Sequence, residues 1–143
     1  MGFWYPELNI GFHSTNPPEF VSDESPAKER ILPYECLCVV SALQHAAESM
    51  PAHSRIVIFT DSDNTVAMFS SLRCLPWYNP LLRHAVDILV SHDLQLRVLH
   101  VLGHHNIVAD HISRGRLSDA LYASPGLEIL TFQPPPLRLG PTP

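Results

Sequence analysis

A layered α/β domain is what this sequence predicts, and three observations carry the prediction. Arg55-Ile-Val-Ile-Phe-Thr-Asp-Ser62 contains an unbroken apolar run, which reads as a strand buried on both faces, as in the parallel part of an α/β sheet. Leu94-Gln-Leu-Arg-Val-Leu-His-Val-Leu102 alternates and then becomes continuously apolar, giving a second inner strand. Between and before these runs, apolar residues recur at three- and four-residue steps, the period of a helix with one buried stripe. Strands separated by helices make layers of sheet and helix, with no internal repeat.

The elements follow in order. Gly2-Phe-Trp-Tyr-Pro-Glu-Leu-Asn-Ile-Gly-Phe12 is aromatic-rich with a turn-forming interruption, so two short antiparallel strands are expected. From His13 to Arg30 the composition is polar and forms a loop. Ile31 to Met50 is the first helix, with Leu32, Val39, Leu43 and Ala46 on its core stripe. Asn64 to Leu75 is helical until Pro76-Trp-Tyr-Asn-Pro80 stops it. Leu81 to His92 is the next helix, and Ile107 to Arg114 the last, with Asn106 as its N-cap.

At 143 residues, with 45% hydrophobic and 16% charged side chains, the chain is long enough for one proper core. Its 14 prolines cluster at Pro17-Pro18, Pro76 to Pro80 and Pro134 to Pro143, marking two loops and a tail without regular structure. The net charge of −5 and pI near 5.9 argue against a free-standing, tightly binding nucleic-acid module. Cys36, Cys38 and Cys74 have no C-x-x-C spacing and lie in apolar stretches, which suits buried thiols in a reducing compartment. No apolar run approaches the roughly 18 residues of a membrane span, and the start lacks signal-peptide features. The expectation is a soluble, intracellular protein, cytoplasmic or nuclear, with no membrane partner.

Three carboxylates stand at odd positions. Asp61 closes the first inner strand, at the sheet edge where α/β proteins bind ligands, although Thr-Asp-Ser-Asp-Asn is also good turn chemistry. Glu35 lies on the apolar stripe of the first helix, where an unpaired charge is costly. Asp110 sits in the first turns of the last helix, which a carboxylate favours on electrostatic grounds alone. Taken together they occupy comparable topological points, and Mg²⁺ accepts such oxygen ligands.

Those residues also carry a resemblance. Thr60-Asp61-Ser62, Tyr34-Glu35 and Asn106-Ile-Val-Ala-Asp110-His-Ile-Ser-Arg114 resemble the ribonuclease H domain of retroelement reverse transcriptases, the last through its N-x-x-A-D-x-x-S-R pattern. Phe3-Trp-Tyr-Pro, Asn64-Thr-Val, Tyr78-Asn-Pro-Leu-Leu82 and the proline-rich exit are similar to the version in fungal tyrosine-recombinase retrotransposons. The resemblance runs from about Gly2 to Leu117.

It implies a ribonuclease H-like mixed sheet flanked by helices, over residues 1–117, and a proline-rich tail or linker over 118–143. It implies a hydrolase, an endonuclease cutting the RNA strand of an RNA/DNA hybrid, with two Mg²⁺ or Mn²⁺ ions held by four acidic residues. Glu35, Asp61 and Asp110 match the second, third and fourth of these. The first belongs to a central opening strand, in a Thr-Asp-Ala-Ser-like segment that this sequence lacks, and neither Glu7, Asp23 nor Glu24 stands in a comparable strand context. The domain is therefore expected to be N-terminally truncated, with weak or absent catalysis. Its sheet is expected either to leave edges open for a strand-donating partner or homodimer, or to pair the Phe3 strand directly with the Asp61 strand.

In the same resemblance His104, then His105, matches the histidine that assists product release in cellular ribonucleases H. Asn64, Arg114 and Arg116 are candidate nucleic-acid contacts, with Arg73 and Arg83 bordering the Trp77-Tyr78 loop, whose rings either stack on nucleic acid or pack on the core. Two other readings stand beside this one: a non-catalytic remnant serving as a connection or interaction module, and a small zinc-binding domain suggested by His100, His104, His105 and His111.

Overall fold

The computed structural model describes residues 1–21 and 31–140. The chain is a mixed α/β protein with two small sheets. Strands β1 (Gly2–Tyr5) and β2 (Ile10–His13) form the expected hairpin, in the register Phe3 opposite Phe12. Helix α1 (Ile31–Ala47) follows, then β3 (Arg55–Thr60), α2 (Asp63–Ser71), a 3-10 turn at Pro76–Tyr78, and α3 (Asn79–His92). Strand β4 (Gln95–His100), a 3-10 turn at Gly103–His105, α4 (Ile107–Ser113), α5 (Leu117–Ala123) and β5 (Glu128–Thr131) complete the order.

One sheet is ordered β1-β2-β5 and the other β3-β4. The parallel β3-β4 pair, Ile58 opposite Val98, is the inner-strand pair that the two apolar runs predict. Among the described residues β1 and β3 do not pair, which corrects the expectation of a direct pairing between the Phe3 and Asp61 strands. Each already has one neighbour, and their facing edges stay apart across a groove of about 700 Å³.

Helix α1 lies beneath both sheets, which explains why burial extends beyond its predicted stripe. Cys36, Leu37, Val40 and Leu43 are fully enclosed, packed with α2, α3 and the inner faces of the strands. The first sheet is anchored to it by rings: Phe3 stacks on Phe12 at 5.0 Å, Phe12 meets His45 at 4.3 Å, and Tyr5 Oη bonds His45 Nδ1 at 3.0 Å. On the opposite face of that sheet, Ile112 of α4 presses against Gly2 and Gly11. A Cβ at Gly2 would fall 2.5 Å from the Ile112 side chain, so only glycine permits this approach.

Four expectations need correcting. Strand β3 is buried on one face only, because Ile56 and Ile58 enter the core while Val57 and Phe59 remain 49% and 60% exposed. Among the described residues no helix covers that outer face, so the apolar run overstated its burial. Secondly, the segment expected as tail from Ser118 contains α5 and β5, and β5 pairs in parallel with β2, Phe12 opposite Leu130. Farther on, Leu139 is buried in the main core and its N–H donates to Phe20 O at 3.1 Å. The prolines prevent regular structure there without preventing packing.

Thirdly, α2 stops at Ser71, with Leu72 in the left-handed region, before Pro76 can end it. Lastly, Asn106 stands at the start of α4 but makes no side-chain cap bond. The capping expected there occurs instead at α2, where Ser62 Oγ accepts from Thr65 N–H at 3.3 Å. Part of the expected loop, 22–30, and the last residues, 141–143, lie outside the described residues.

Candidate functional site: a groove between two open sheet edges

Glu35, Asp61 and Asp110 all line the groove between β1 and β3. Glu35 reaches it from the second turn of α1, half-buried beside Cys38 and Val39. Asp61 follows the last residue of β3, held at the strand-to-helix junction by the Ser62 cap of α2, and its carboxylate is exposed. Gly103 brings the turn after β4 alongside, since a Cβ there would stand 3.7 Å from Asp61 Oδ2. Asp110 enters from the first turn of α4, where its backbone N–H donates to Asn106 O at 3.0 Å.

The three acids differ in their partners. Asp110 Oδ1 accepts from Arg114 Nε at 3.0 Å, an i,i+4 pair on the exposed side of α4 that contributes little to stability. Glu35 and Asp61 form no ion pair among the described residues. Among those residues no three His, Cys, Asp or Glu side chains are arranged to hold a metal ion.

The remaining candidates lie on several elements. Arg114 lines it. Asn64 is exposed in the first turn of α2, and Arg116 is exposed at the start of α5. His104 and His105 lie in the 3-10 turn before α4, their rings 4.1 Å apart, and neither lines the groove. His100 Nε2 approaches Asp63 Oδ1 at 3.5 Å. The Trp77-Tyr78 loop packs on the core, with Tyr78 buried, so these rings are not an exposed stacking platform. Arg73 and Arg83 are exposed on that side of the molecule.

Groove residues that the sequence did not single out are Trp4, Cys38, Val57, Phe59 and Ala109. The alternation Ile56-Val57-Ile58-Phe59 carried a signal for the outer pair, but an all-apolar strand does not reveal which face lacks a cover. The cysteines are free. Cys36 is buried, and burial pushes its thiol up to about 12 despite the Thr65 hydroxyl at 3.7 Å. Cys38 donates to Gly2 O at 3.1 Å, and burial of its thiol raises it to about 11. Cys38 and Cys74 are only half-buried as residues, so the expectation of buried thiols holds for them in part.

No helix among the described residues is long and apolar enough to cross a membrane. Compared with protein-family models, with curated proteins and with solved structures, the chain matches none.

Proposed function

We propose that this chain is a ribonuclease H-like domain of the retroelement type, derived from a nuclease that cuts RNA in RNA/DNA hybrids, and that as it stands it cleaves weakly or not at all. One observation carries the reading: Glu35, Asp61 and Asp110, from a helix, a strand end and a helix start far apart in sequence, open onto a single groove. Carboxylates at the carboxyl edge of a parallel strand pair fit a phosphodiester-cleaving ancestry. The negative net charge fits weak hybrid binding, with Arg114, Arg116 and Asn64 as the available contacts.

The test is cleavage of a labelled RNA/DNA hybrid in Mg²⁺ or Mn²⁺. Cleavage by the chain alone is expected near background. Adding a strand bearing Thr-Asp-Ala-Ser ahead of Gly2 should raise it on the order of 10²-fold or more, and Asp61→Asn should abolish that gain. Cleavage that survives Asp61→Asn, or an added strand that brings no gain, would overturn the reading.

The second reading, a non-catalytic interaction module, is favoured by a different feature, the edges of β1 and β3 that have no strand partner among the described residues.

A further inference from the structure

The hydrogen-bond ladders fix which backbone groups face the groove. Met1 and Ser14 exchange both bonds, Met1 N to Ser14 O at 2.8 Å and Ser14 N to Met1 O at 3.0 Å. In an antiparallel ladder such closely bonded pairs alternate along the strand, so Phe3 and Tyr5 direct their N–H and C=O toward β2. Those of Gly2 and Trp4 turn to the groove. On the other wall, Gln95 N donates to Ser54 O at 3.0 Å and Val101 N to Thr60 O at 2.9 Å. A parallel ladder in that register bonds Ile56, Ile58 and Thr60 to β4, leaving the backbone of Val57 and Phe59 pointing outward.

Two rows of backbone donors and acceptors thus face each other over one slot. The floor of that slot is apolar and shallow, formed by Cys38, Val39, Ala42 and Ala46 of α1. Of the outward-facing backbone acceptors of β1 and β3, one is used among the described residues, Gly2 O by the Cys38 thiol.

We propose that the groove is a strand acceptor, filled by an extended segment of another polypeptide that hydrogen-bonds to β1 and β3 at once and merges the two sheets. Only an extended peptide carries donors and acceptors on both of its edges, so it alone satisfies both walls. About five or six residues match the strands present. Alternate side chains of the segment are apolar, because they rest on Val39 and Ala42. At the end flanked by Glu35 and Asp61 it carries a lysine or arginine, because those two carboxylates have no cationic partner among the described residues.

The probe is the synthetic peptide Lys-Val-Ser-Ile-Ser-Val-Lys, with a basic residue at each end to serve either strand direction. Binding is read by amide hydrogen exchange at Gly2, Trp4, Val57 and Phe59, and by Trp4 fluorescence in a Trp77→Phe background. Saturating peptide is expected to slow exchange at those four amides while leaving Phe3, Tyr5, Ile56 and Ile58 slow as before. A peptide with proline in place of isoleucine should bind about tenfold or more weakly, and so should the peptide with glutamate in place of both lysines.

On the protein side, Val57→Pro removes one groove-facing N–H without touching the ladder to β4, and should weaken peptide binding with the helical circular dichroism retained. Exchange at the four amides unchanged by peptide would overturn the proposal. So would protection present before peptide is added, which assigns the groove to this chain itself if independent of protein concentration and to a second copy if dependent on it. No metal or nucleic acid enters the assay, so its failure leaves the cleavage reading standing.

Discussion

The two sheets of this protein share one helix yet live in different surroundings. The β1-β2-β5 sheet is covered on both faces, by the aromatic and His45 contacts to α1 on one side and by Ile112 of α4 on the other. Among the described residues the β3-β4 sheet is covered on its inner face alone, and Val57, Phe59 and Leu99 are exposed outside. The more hydrophobic strand is therefore the less buried one. Sheet burial is decided by which helix the topology sends to each face, and strand composition sets only what that exposure costs.

The contrast is sharpest at single residues. Ile112→Ala empties a fully enclosed site between α4 and both glycines, and should lower unfolding free energy by about 2–4 kcal/mol in denaturant titration. Gly2→Ala attacks the same contact from the other side. The new methyl meets Ile112 and the backbone nitrogen of Ser113 at 2.7 Å, and a loss of about 1–3 kcal/mol is expected in the same titration.

Alkali should loosen the helix that both sheets share. Cys36 is raised by burial from 9.0 to about 12, so the folded state keeps its proton while the unfolded thiol gives it up. The stabilisation from this group is fully present below pH 9.0 and is lost as pH rises from there toward about 12. Thermal melts across that window should show a fall that Cys36→Ala reduces. Alkylation at pH 8 should modify Cys74 before Cys36, which is buried, and before Cys38, whose thiol is bonded to Gly2 O and raised to about 11.

The smallest effect belongs to the uncovered sheet. Phe59→Ser should change stability by no more than about 0.5 kcal/mol and should reduce self-association on sedimentation, because it removes the largest exposed ring of β3. A loss comparable to that of Ile112→Ala would break the comparison, by showing that the outer face of β3 is covered in solution.

Much of the architecture was legible because it rests on local chemistry. The Phe3-Trp4-Tyr5 and Ile10 to Phe12 segments flank a Pro-Glu-Leu-Asn turn and pair as read, and the inner strands and four of the helices begin within two residues of where periodicity puts them. Parallel pairing of β3 with β4 followed from two apolar runs joined through helices. What stayed illegible depends on distant partners. Glu128-Ile-Leu-Thr131 lies among prolines and is a strand only because β2 offers it an edge. Asp110 was visible as an oddity, whereas its Arg114 bond requires the helix to exist first. The carboxylates' common groove was expected, but the sequence does not give the separations that decide whether a metal can sit among them.

The parallel bond between β2 and β5 has a consequence for how the molecule is made. Ile10 leaves the ribosome well before Glu128, yet they face each other in the finished sheet. Until then the β2 edge is uncovered, while α1, β3 and β4 can already pack through contacts closer in sequence. Strands β1 and β2, made before β3 and β4, thus belong to the sheet completed later, and the slowest refolding step should be β5 docking, long after the helical core has formed.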